Sequence, residues 1–231
     1  MSAASPYCLK DSPWSSHGRI LRYLELWPRT ARILDVGTAD GYLGQALRNA
    51  GFENVVGMER DSTRAAAARA AYVEVIQSDL DRPATWSLGT YFDVIICADV
   101  LEHLSDPWAA LKLLVEALEP EGRLLISIPN SGHWWVRANA LCGRFPLEAR
   151  GLFDRGHVRL FTWSTLRELV KQAGLEIEHC WITPIPFASM REGQAAGRLA
   201  LWGEAAYCGL ANVWKKLLAY QFVLSARRRT E

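Results

Sequence analysis

Three carboxylate side chains lie at the ends of successive short runs of aliphatic and β-branched residues. Asp35 is near the end of the first run, Glu59 ends the second, and Asp79 follows the third. A carboxylate in this position can pair with a cationic group, accept both hydroxyls of a ribose, or accept a hydrogen bond from a ring amino group. Three acids at successive run ends predict a binding site for a ligand that carries such groups.

A turn of small residues, Gly37-Thr38-Ala39-Asp40-Gly41, follows Asp35 closely. Small residues let a ligand approach the backbone, and the helix that begins there offers unpaired N–H groups. A nicotinamide fingerprint would read G-x-G-x-x-G, with no need for an acid before the first glycine. The spacing here therefore favours an amino or sulfonium cation over a pyrophosphate.

The runs that would position these groups alternate with helical stretches. We predict strands at 32–36, 54–58, 73–76, 92–97 and 123–128, with helices at 42–50, 62–71 and 107–118. This alternation is typical of βαβ units around a parallel sheet. Asp106 and Thr162 have the residue types that cap helices, and the segment 120–122 is predicted to form a turn.

The C-terminal third departs from the alternation. Residues 175–182 and 220–226 are predicted to pair as strands at a sheet edge. Two stretches, 130–156 and 187–218, are expected to be cap-like insertions. Since ligands of open α/β sheets bind beyond the carboxyl ends of the strands, the first insertion is placed to touch a substrate.

The amino-acid composition excludes several classes of protein for this chain. The 231 residues include 26 basic and 25 acidic side chains, and half are apolar. A net charge of +1 argues against a nucleic-acid partner. Five cysteines without a C-x-x-C pair do not form a disulfide framework or a zinc ribbon. We see no signal peptide or long apolar run, and we expect a cytoplasmic protein.

A second motif adds to the first. It comprises Phe92–Leu104 (FDVIICADVLEHL), then Asp106-Pro107, and then Pro120–Asn130 (PEGRLLISIPN). Together the two motifs resemble class I S-adenosylmethionine (AdoMet)-dependent methyltransferases over residues 32–226, in particular the branch with the ubiquinone-biosynthesis O-methyltransferases. The resemblance implies a Rossmann-like sheet of seven mostly parallel strands with an antiparallel last strand, helices on both faces and a helical insertion before that strand. A loose arm of small and polar residues and a helix that Pro28 ends are predicted at 1–28, and the methyltransferase domain is then expected at 29–231.

The resemblance assigns AdoMet to the three acids. Asp35 and the turn would hold the methionine moiety, Glu59 the ribose, and Asp79 with Leu80 the adenine. Ala98 would offer its backbone to the amino group. The residues of the turn concerned are Gly37, Thr38, Ala39 and Gly41, and Ala39 stands where the family usually has glycine.

His103 and His157 are the candidate catalytic residues. Methyl transfer is an in-line displacement, and a general base is needed only for an acceptor that is protonated at working pH. Both histidines also have packing interpretations. We expect no metal, but the spacing leaves an alternative that resembles the divalent-metal site of small-RNA 3′-end methyltransferases, with Asp99, Glu102, His103 and His157 as ligands.

The acceptor is expected to be a hydroxyl of a small molecule, a sugar or a lipid-linked glycan. His133 with Trp134 and Trp135 is interpreted as a lid or sugar-stacking wall, or as ordinary packing. Aromatic and basic residues of the 187–218 insertion (Trp202, Tyr207, Trp214, Lys215, Lys216) either contact the inner membrane surface or cap the sheet. A quinone or phenolic acceptor, an RNA 3′ end, and a non-catalytic AdoMet-binding regulator are the alternatives.

Overall fold

A seven-stranded sheet forms the centre of the computed structural model, which describes residues 12–82, 89–185 and 198–229. The spatial order of the strands is β3-β2-β1-β4-β5-β7-β6. The strands are β1 Arg32–Val36, β2 Asn54–Glu59, β3 Glu74–Gln77, β4 Phe92–Ala98, β5 Leu118–Pro129, β6 Leu175–Thr183 and β7 Gln221–Arg228.

Strands β1 to β5 run parallel to one another, whereas β7 runs antiparallel to both β5 and β6. The predicted pairing of the last two strands is confirmed, but β7 inserts between β5 and β6, so that β6 is the edge strand. Because β1 to β5 are parallel, their carboxyl ends meet at one edge of the sheet, where a ligand can bind. The predicted Rossmann-like fold is confirmed.

Eight α-helices of the described residues pack around the sheet. They are α1 Ser16–Leu24, α2 Tyr42–Asn49, α3 Ser62–Ala68, α4 Pro107–Glu116, α5 Trp134–Leu141, α6 Trp163–Gln172, α7 Arg198–Val213 and α8 Lys215–Leu218. The predicted caps are present: Asp106 accepts a hydrogen bond from the N–H of Ala109, and Thr162 forms a capping box with Thr165. Such caps satisfy the free N–H groups of the first turn.

Two apolar clusters cover the two faces of the sheet, because successive strand residues point to opposite sides. Ile33 belongs to one cluster, with Ile20 of α1 and Leu47 of α2. Leu34 belongs to the other cluster, together with Leu111 of α4 and apolar residues of α6 and α7. Helix α1 thus shares the core of the sheet. Residues 1–11 of the predicted N-terminal arm lie outside the described residues.

Several predicted boundaries of helices and strands are corrected. Helix α4 ends at Glu116, and β5 begins already at Leu118. The predicted turn at 120–122 lies within β5, where the register with β4 shifts between Phe92 and Val94. The backbone of Leu118 pairs before this irregularity, and Pro120 cannot donate to the ladder. The helix predicted at 62–71 ends at Ala68, and a 3-10 turn completes the segment.

The two insertions meet beside the carboxyl edge of the sheet. The first contains α5, and the second contains α7 and α8, with 186–197 outside the described residues. Asn130, fully buried, donates from Nδ2 to the carbonyl of Ala219 at 2.8 Å. The Nε2 of His133, in the first insertion, lies 3.2 Å from the hydroxyl of Tyr207 in α7. Across the described part of the chain, no helix combines the length and apolarity needed to cross a membrane.

Candidate functional site

The turn between β1 and α2 is held in a conformation that favours small residues. Gly37, Ala39 and Gly41 have φ angles of 74°, 48° and 88°. The N–H of Gly37 donates to the carbonyl of Met58 at 2.8 Å, which fixes the turn to the end of β2. A Cβ on Gly37 would lie 2.7 Å from Val100 Cγ2, so glycine is required for space as well as for φ.

Ala39 adopts the left-handed conformation at the position where glycine was expected. This conformation costs an L-residue about 1–2 kcal/mol. The backbone N–H of Ala39 donates to Glu59 Oε2 at 2.9 Å. The turn therefore keeps the glycine-type backbone despite the added methyl group, and Glu59 helps to hold it.

Asp35 is buried beneath this turn, with 2% of its surface exposed. Burial raises the pKa of its carboxyl to about 7, a hydrogen bond from Tyr72 opposes the rise, and the negative charge of Glu59 adds to it. The hydroxyl of Tyr72 donates to Asp35 Oδ2 at 2.5 Å. An acid in this setting gains from a cationic ligand group, because the cation favours its charged form.

The other predicted cofactor residues lie along the same edge. Glu59 is 8% exposed and also accepts from the N–H of Asp61 at 3.0 Å. Asp79 follows β3 and is about one third exposed, while Leu80 is buried beside it. The N–H of Ser78 donates to the carbonyl of Glu59 at 3.1 Å, which holds the two strand ends together.

Ala98 is the last residue of β4 and is half-buried opposite Ser127 of β5. The neighbouring strand β1 carries Asp35 two residues before the turn begins, at the same edge of the sheet. The sheet thus brings all the predicted cofactor residues to the carboxyl ends of β1 to β4. That these residues bind AdoMet remains a prediction.

A second cluster, formed by Glu102, His103 and His157, lies just after β4. Each residue offers a ligand atom within 4.8 Å of the others. Glu102 is 2% exposed, and its Oε1 lies 4.0 Å from His157 Nε2. The backbone carbonyl of Glu102 accepts from the N–H groups of Val158 and Arg159, both at 2.9 Å. These bonds hold the segment that carries His157 against the turn after β4.

The tautomer of His103 follows from its partner. Its Nδ1 lies 2.8 Å from the carbonyl oxygen of Gly156, which can only accept, so Nδ1 carries the proton. Nε2 is then the basic nitrogen. For His157, burial lowers the pKa, and the nearby His103 lowers it further. Both imidazoles can therefore accept a proton or bind a metal ion.

Asp99 does not join this cluster, although the alternative metal site included it. Its φ of 56° turns the chain at the end of β4. Its Oδ1 accepts from the Oγ of Ser127 at 2.6 Å and from the Nε2 of Gln221 at 2.9 Å. Three of the four proposed ligands are thus brought together. One carboxylate and two imidazoles still fit a divalent transition metal by donor type.

His133 is a buried packing residue, and its interpretation as part of a lid is wrong. It has no exposed surface, and its Nδ1 accepts from the N–H of Trp135 at 3.2 Å, which caps α5. Its Nε2 lies 3.2 Å from the hydroxyl of Tyr207. Burial lowers the pKa of His133 to about 4. Trp134 and Trp135 themselves are 40% and 48% exposed.

Sequence reasoning missed Tyr72 and the carbonyl of Gly156. Neither lies in a motif, since tyrosine is a common core residue and a backbone carbonyl has no sequence signal. The available signal for Tyr72 was a pair of glycines in regular elements, Gly44 in α2 and Gly57 in β2. Glycine in such positions often marks the close approach of another group.

Comparison with known proteins agrees with the resemblance to methyltransferases. A methyltransferase-domain family model matches residues 16–180. A ubiquinone biosynthesis O-methyltransferase from Neisseria meningitidis serogroup C is 27% identical over 160 residues, which cover 64% of this chain and 65% of that protein. Its counterpart from Cronobacter sakazakii is 29% identical over 114 residues, 46% of each chain. The match spans less than two thirds of the length of these relatives.

Solved structures share the fold. The magnesium protoporphyrin IX methyltransferase from Synechocystis PCC 6803 with bound SAH has a TM-score of 0.62 at 18% identity, covering 93% of this chain and 82% of that chain. An S-adenosylmethionine dependent methyltransferase from Mesorhizobium loti has a TM-score of 0.59 at 21% identity, covering 93% and 98%. With the family match over most of its length, this chain belongs to the methyltransferase-domain family.

Proposed function

We propose that this protein transfers a methyl group from AdoMet to a hydroxyl. The observation that carries the proposal is the convergence of Asp35 and Glu59 on the turn between β1 and α2. Both acids are buried, and Glu59 hydrogen-bonds that turn directly. Solved structures of the same fold are named for S-adenosylmethionine, and one contains SAH.

The cofactor would lie across the carboxyl ends of β1 to β4. Asp35 would face the cationic end of AdoMet, which favours the ionised carboxylate. Glu59 already accepts one N–H at each oxygen, and each carboxylate oxygen keeps a further lone pair for a ribose hydroxyl. Asp79 would accept the adenine amino group, with Leu80 against the ring, and the backbone of Ala98 would face the methionine amino group.

The reacting hydroxyl would lie between the cofactor and the two histidines. In the transfer, the bond from the methyl carbon to sulfur breaks as the bond from that carbon to the acceptor oxygen forms. The hydroxyl proton passes to an imidazole nitrogen, and a neutral thioether leaves. His103 presents Nε2 for this role because Gly156 holds its Nδ1–H. His157, largely neutral because its pKa is lowered, is the second candidate.

The acceptor is proposed to be amphipathic, such as a lipid-linked glycan or another lipid. Trp134 and Trp135 are exposed on α5, and Trp214 is 61% exposed beside Lys215 and Lys216. Aromatic rings beside basic side chains suit the interface of an anionic membrane. This arrangement supports peripheral contact of the protein with the cytoplasmic face of a membrane.

A phenolic or quinone-type hydroxyl is the second candidate acceptor. It is favoured by the names of the curated relatives, which are ubiquinone biosynthesis O-methyltransferases. It is also favoured by the cluster of Glu102, His103 and His157, whose donor atoms would hold a divalent metal. Such an ion would lower the pKa of a bound hydroxyl. Glu102 would then be a ligand, and the histidines would bind through their basic nitrogens.

The test uses AdoMet with a tritium-labelled methyl group. The protein is incubated with a total lipid extract, a glycolipid fraction and a panel of catechols, each with and without EDTA. We expect label in an organic-soluble methyl ether, and none with an Asp35→Ala control. Labelled lipid that resists EDTA favours the first acceptor, and labelled catechol that needs metal favours the second. Cofactor binding without labelling of any fraction would overturn the catalytic proposal in favour of a regulatory protein.

A further inference from the structure

Tyr72, which precedes β3, lies in a space left by two glycines. It is 5% exposed. A Cβ on Gly44 would lie 2.2 Å from Tyr72 Cζ, and a Cβ on Gly57 would lie 3.1 Å from Tyr72 Cγ. The ring is therefore fixed between α2 and β2, and any larger residue at Gly44 would displace it.

The hydroxyl of Tyr72 makes two hydrogen bonds whose directions are determined. It lies 3.0 Å from the backbone nitrogen of Gly44, which can only donate. The single hydroxyl proton must then point to the other partner, Asp35 Oδ2, at 2.5 Å. Burial and the charge of Asp35 raise the pKa of Tyr72, so the hydroxyl stays protonated and remains a donor.

This hydroxyl also replaces a missing helix cap. The N-cap of α2 is Gly41, which has no side chain to accept from the first turn. Gly44 is the third residue of the helix, and its N–H is one of the four without a partner within the helix. Tyr72 accepts that N–H and donates to Asp35 with the same oxygen. The positive end of the helix dipole is thereby linked to the acid.

We infer that Tyr72 is a positioning residue for the cofactor, which keeps Asp35 ionised and aimed at the ammonium group of AdoMet. The inference rests on the proposed function, because it presumes that Asp35 faces the cofactor. Tyr72 touches neither cofactor nor acceptor in this role and acts through Asp35.

The groups around Asp35 determine in which direction its pKa would shift if the Tyr72 hydroxyl were removed. Glu59 at the end of β2 opposes ionisation of Asp35, as does burial. On β4, Cys97 is fully buried, and burial raises the pKa of its thiol, so it adds no charge. Tyr72 acts in the opposite direction, because its hydrogen bond favours the carboxylate. Removal of the hydroxyl must raise the pKa of Asp35 above about 7, so that neutral solution would hold more of the protonated acid.

The experiment measures the dissociation constant of AdoMet by calorimetry from about pH 5.5 to about pH 7, where an α-amino group with a pKa of about 7.7–8.0 keeps most of its charge. For the wild type, we expect affinity to fall as the pH drops below about 7. For Tyr72→Phe, we expect the acid limb to move to higher pH and affinity at neutral pH to drop about tenfold, as for loss of a hydrogen bond to a charged group.

Two further variants make the result specific. Tyr23→Phe is the matched control, because the Tyr23 hydroxyl accepts from Ser225 Oγ on β7 and, among the described residues, makes no hydrogen bond to Asp35. Its pH profile should match the wild type. Asp35→Asn should bind weakly and without the acid limb, which tests the assignment of that limb even if Tyr72→Phe does not fold.

Three possible results distinguish a failure of the inference from a failure of the proposed function. A uniform loss of affinity in Tyr72→Phe with an unchanged pH profile would overturn the inference and leave Tyr72 as a packing residue. An acid limb that persists in Asp35→Asn would overturn it as well. A wild-type protein that binds no AdoMet at any pH would instead overturn the proposed function.

Discussion

The cofactor half of the site and the acceptor half are built in different ways. The cofactor half, at the ends of β1 to β3, takes Asp35, the turn and Glu59 from 25 consecutive residues, 35–59. The acceptor half, beyond β4 and β5, joins Glu102 and His103 to Gly156 and His157, and joins Asn130 to Ala219. The first half depends on local backbone geometry, and the second depends on contacts between distant segments.

This difference predicts separable defects. Substitutions in the cofactor half should change AdoMet binding, and substitutions in the acceptor half should change turnover at normal AdoMet affinity. A substitution that changed both AdoMet affinity and turnover would show that the two halves are not independent. Since Cys97 on β4 and Asp99 directly after β4 lie between them, the end of that strand is where such coupling would arise.

The largest expected effect is that of Asp35→Ala. It removes the buried carboxylate that faces the cationic end of AdoMet, and we expect affinity to fall by at least about a hundredfold. Calorimetric titration measures the loss. Asp93→Ala is the matched control, because Asp93 lies near the other end of β4 and accepts from the N–H of Arg32. Equal affinity in wild type and Asp35→Ala would remove Asp35 from the cofactor half.

His103→Ala and His157→Ala should affect the other half. Loss of a general base typically lowers kcat by about a hundredfold or more. We expect this loss with AdoMet affinity within about twofold of the wild type. His179→Ala serves as control, since His179 on β6 packs against Trp181 and meets Tyr23 of α1 edge-on. Normal turnover in both variants would return the two histidines to a packing role.

Glu59→Gln should produce a smaller defect in binding. The amide keeps an oxygen acceptor but loses the charge, so we expect AdoMet affinity to fall by about tenfold. Circular dichroism should show an unchanged fold. Glu53→Gln, at an exposed position just before β2, is the control with the same change of charge. A loss in Glu59→Gln confined to kcat would contradict the division between the two halves.

The smallest expected effect is that of Ala39→Gly. Because Ala39 has a φ of 48°, glycine should relieve strain and raise the free energy of unfolding by about 1 kcal/mol. Thermal unfolding measures the change. Ala66→Gly, at an exposed site within α3, should instead lower stability by about 1 kcal/mol. If the free energy of unfolding changed with the same sign in both variants, glycine would not relieve strain at position 39.

Much of the cofactor half was predictable from sequence. The alternation of strands and helices, the parallel order and the placement of Asp35, Glu59 and Asp79 at one edge follow from periodicity and from the geometry of βαβ units. The caps Asp106 and Thr162 were also readable, because capping depends on residues three positions apart. Local rules suffice where the interacting residues are close in the chain.

The acceptor half shows where such rules end. The spacing of Glu102 and His103 was visible, but only the folded chain decides that His157 joins them and that Asp99 turns instead to Ser127 and Gln221. His133 illustrates the same point, since its partner Tyr207 lies 74 residues away. No local pattern encodes the direction of a side chain toward a distant segment.

The sequence by itself determined the class of fold, the cofactor motif and the set of candidate bases, because each depends on residue type and short-range spacing. The tertiary structure decided which candidates meet, where β7 enters the sheet, and how Tyr72 reaches Asp35. The physical reason is that burial, hydrogen-bond direction and charge environment depend on packing between segments. Asp35 shows both contributions: its place was in the motif, and its raised pKa comes from the residues packed around it.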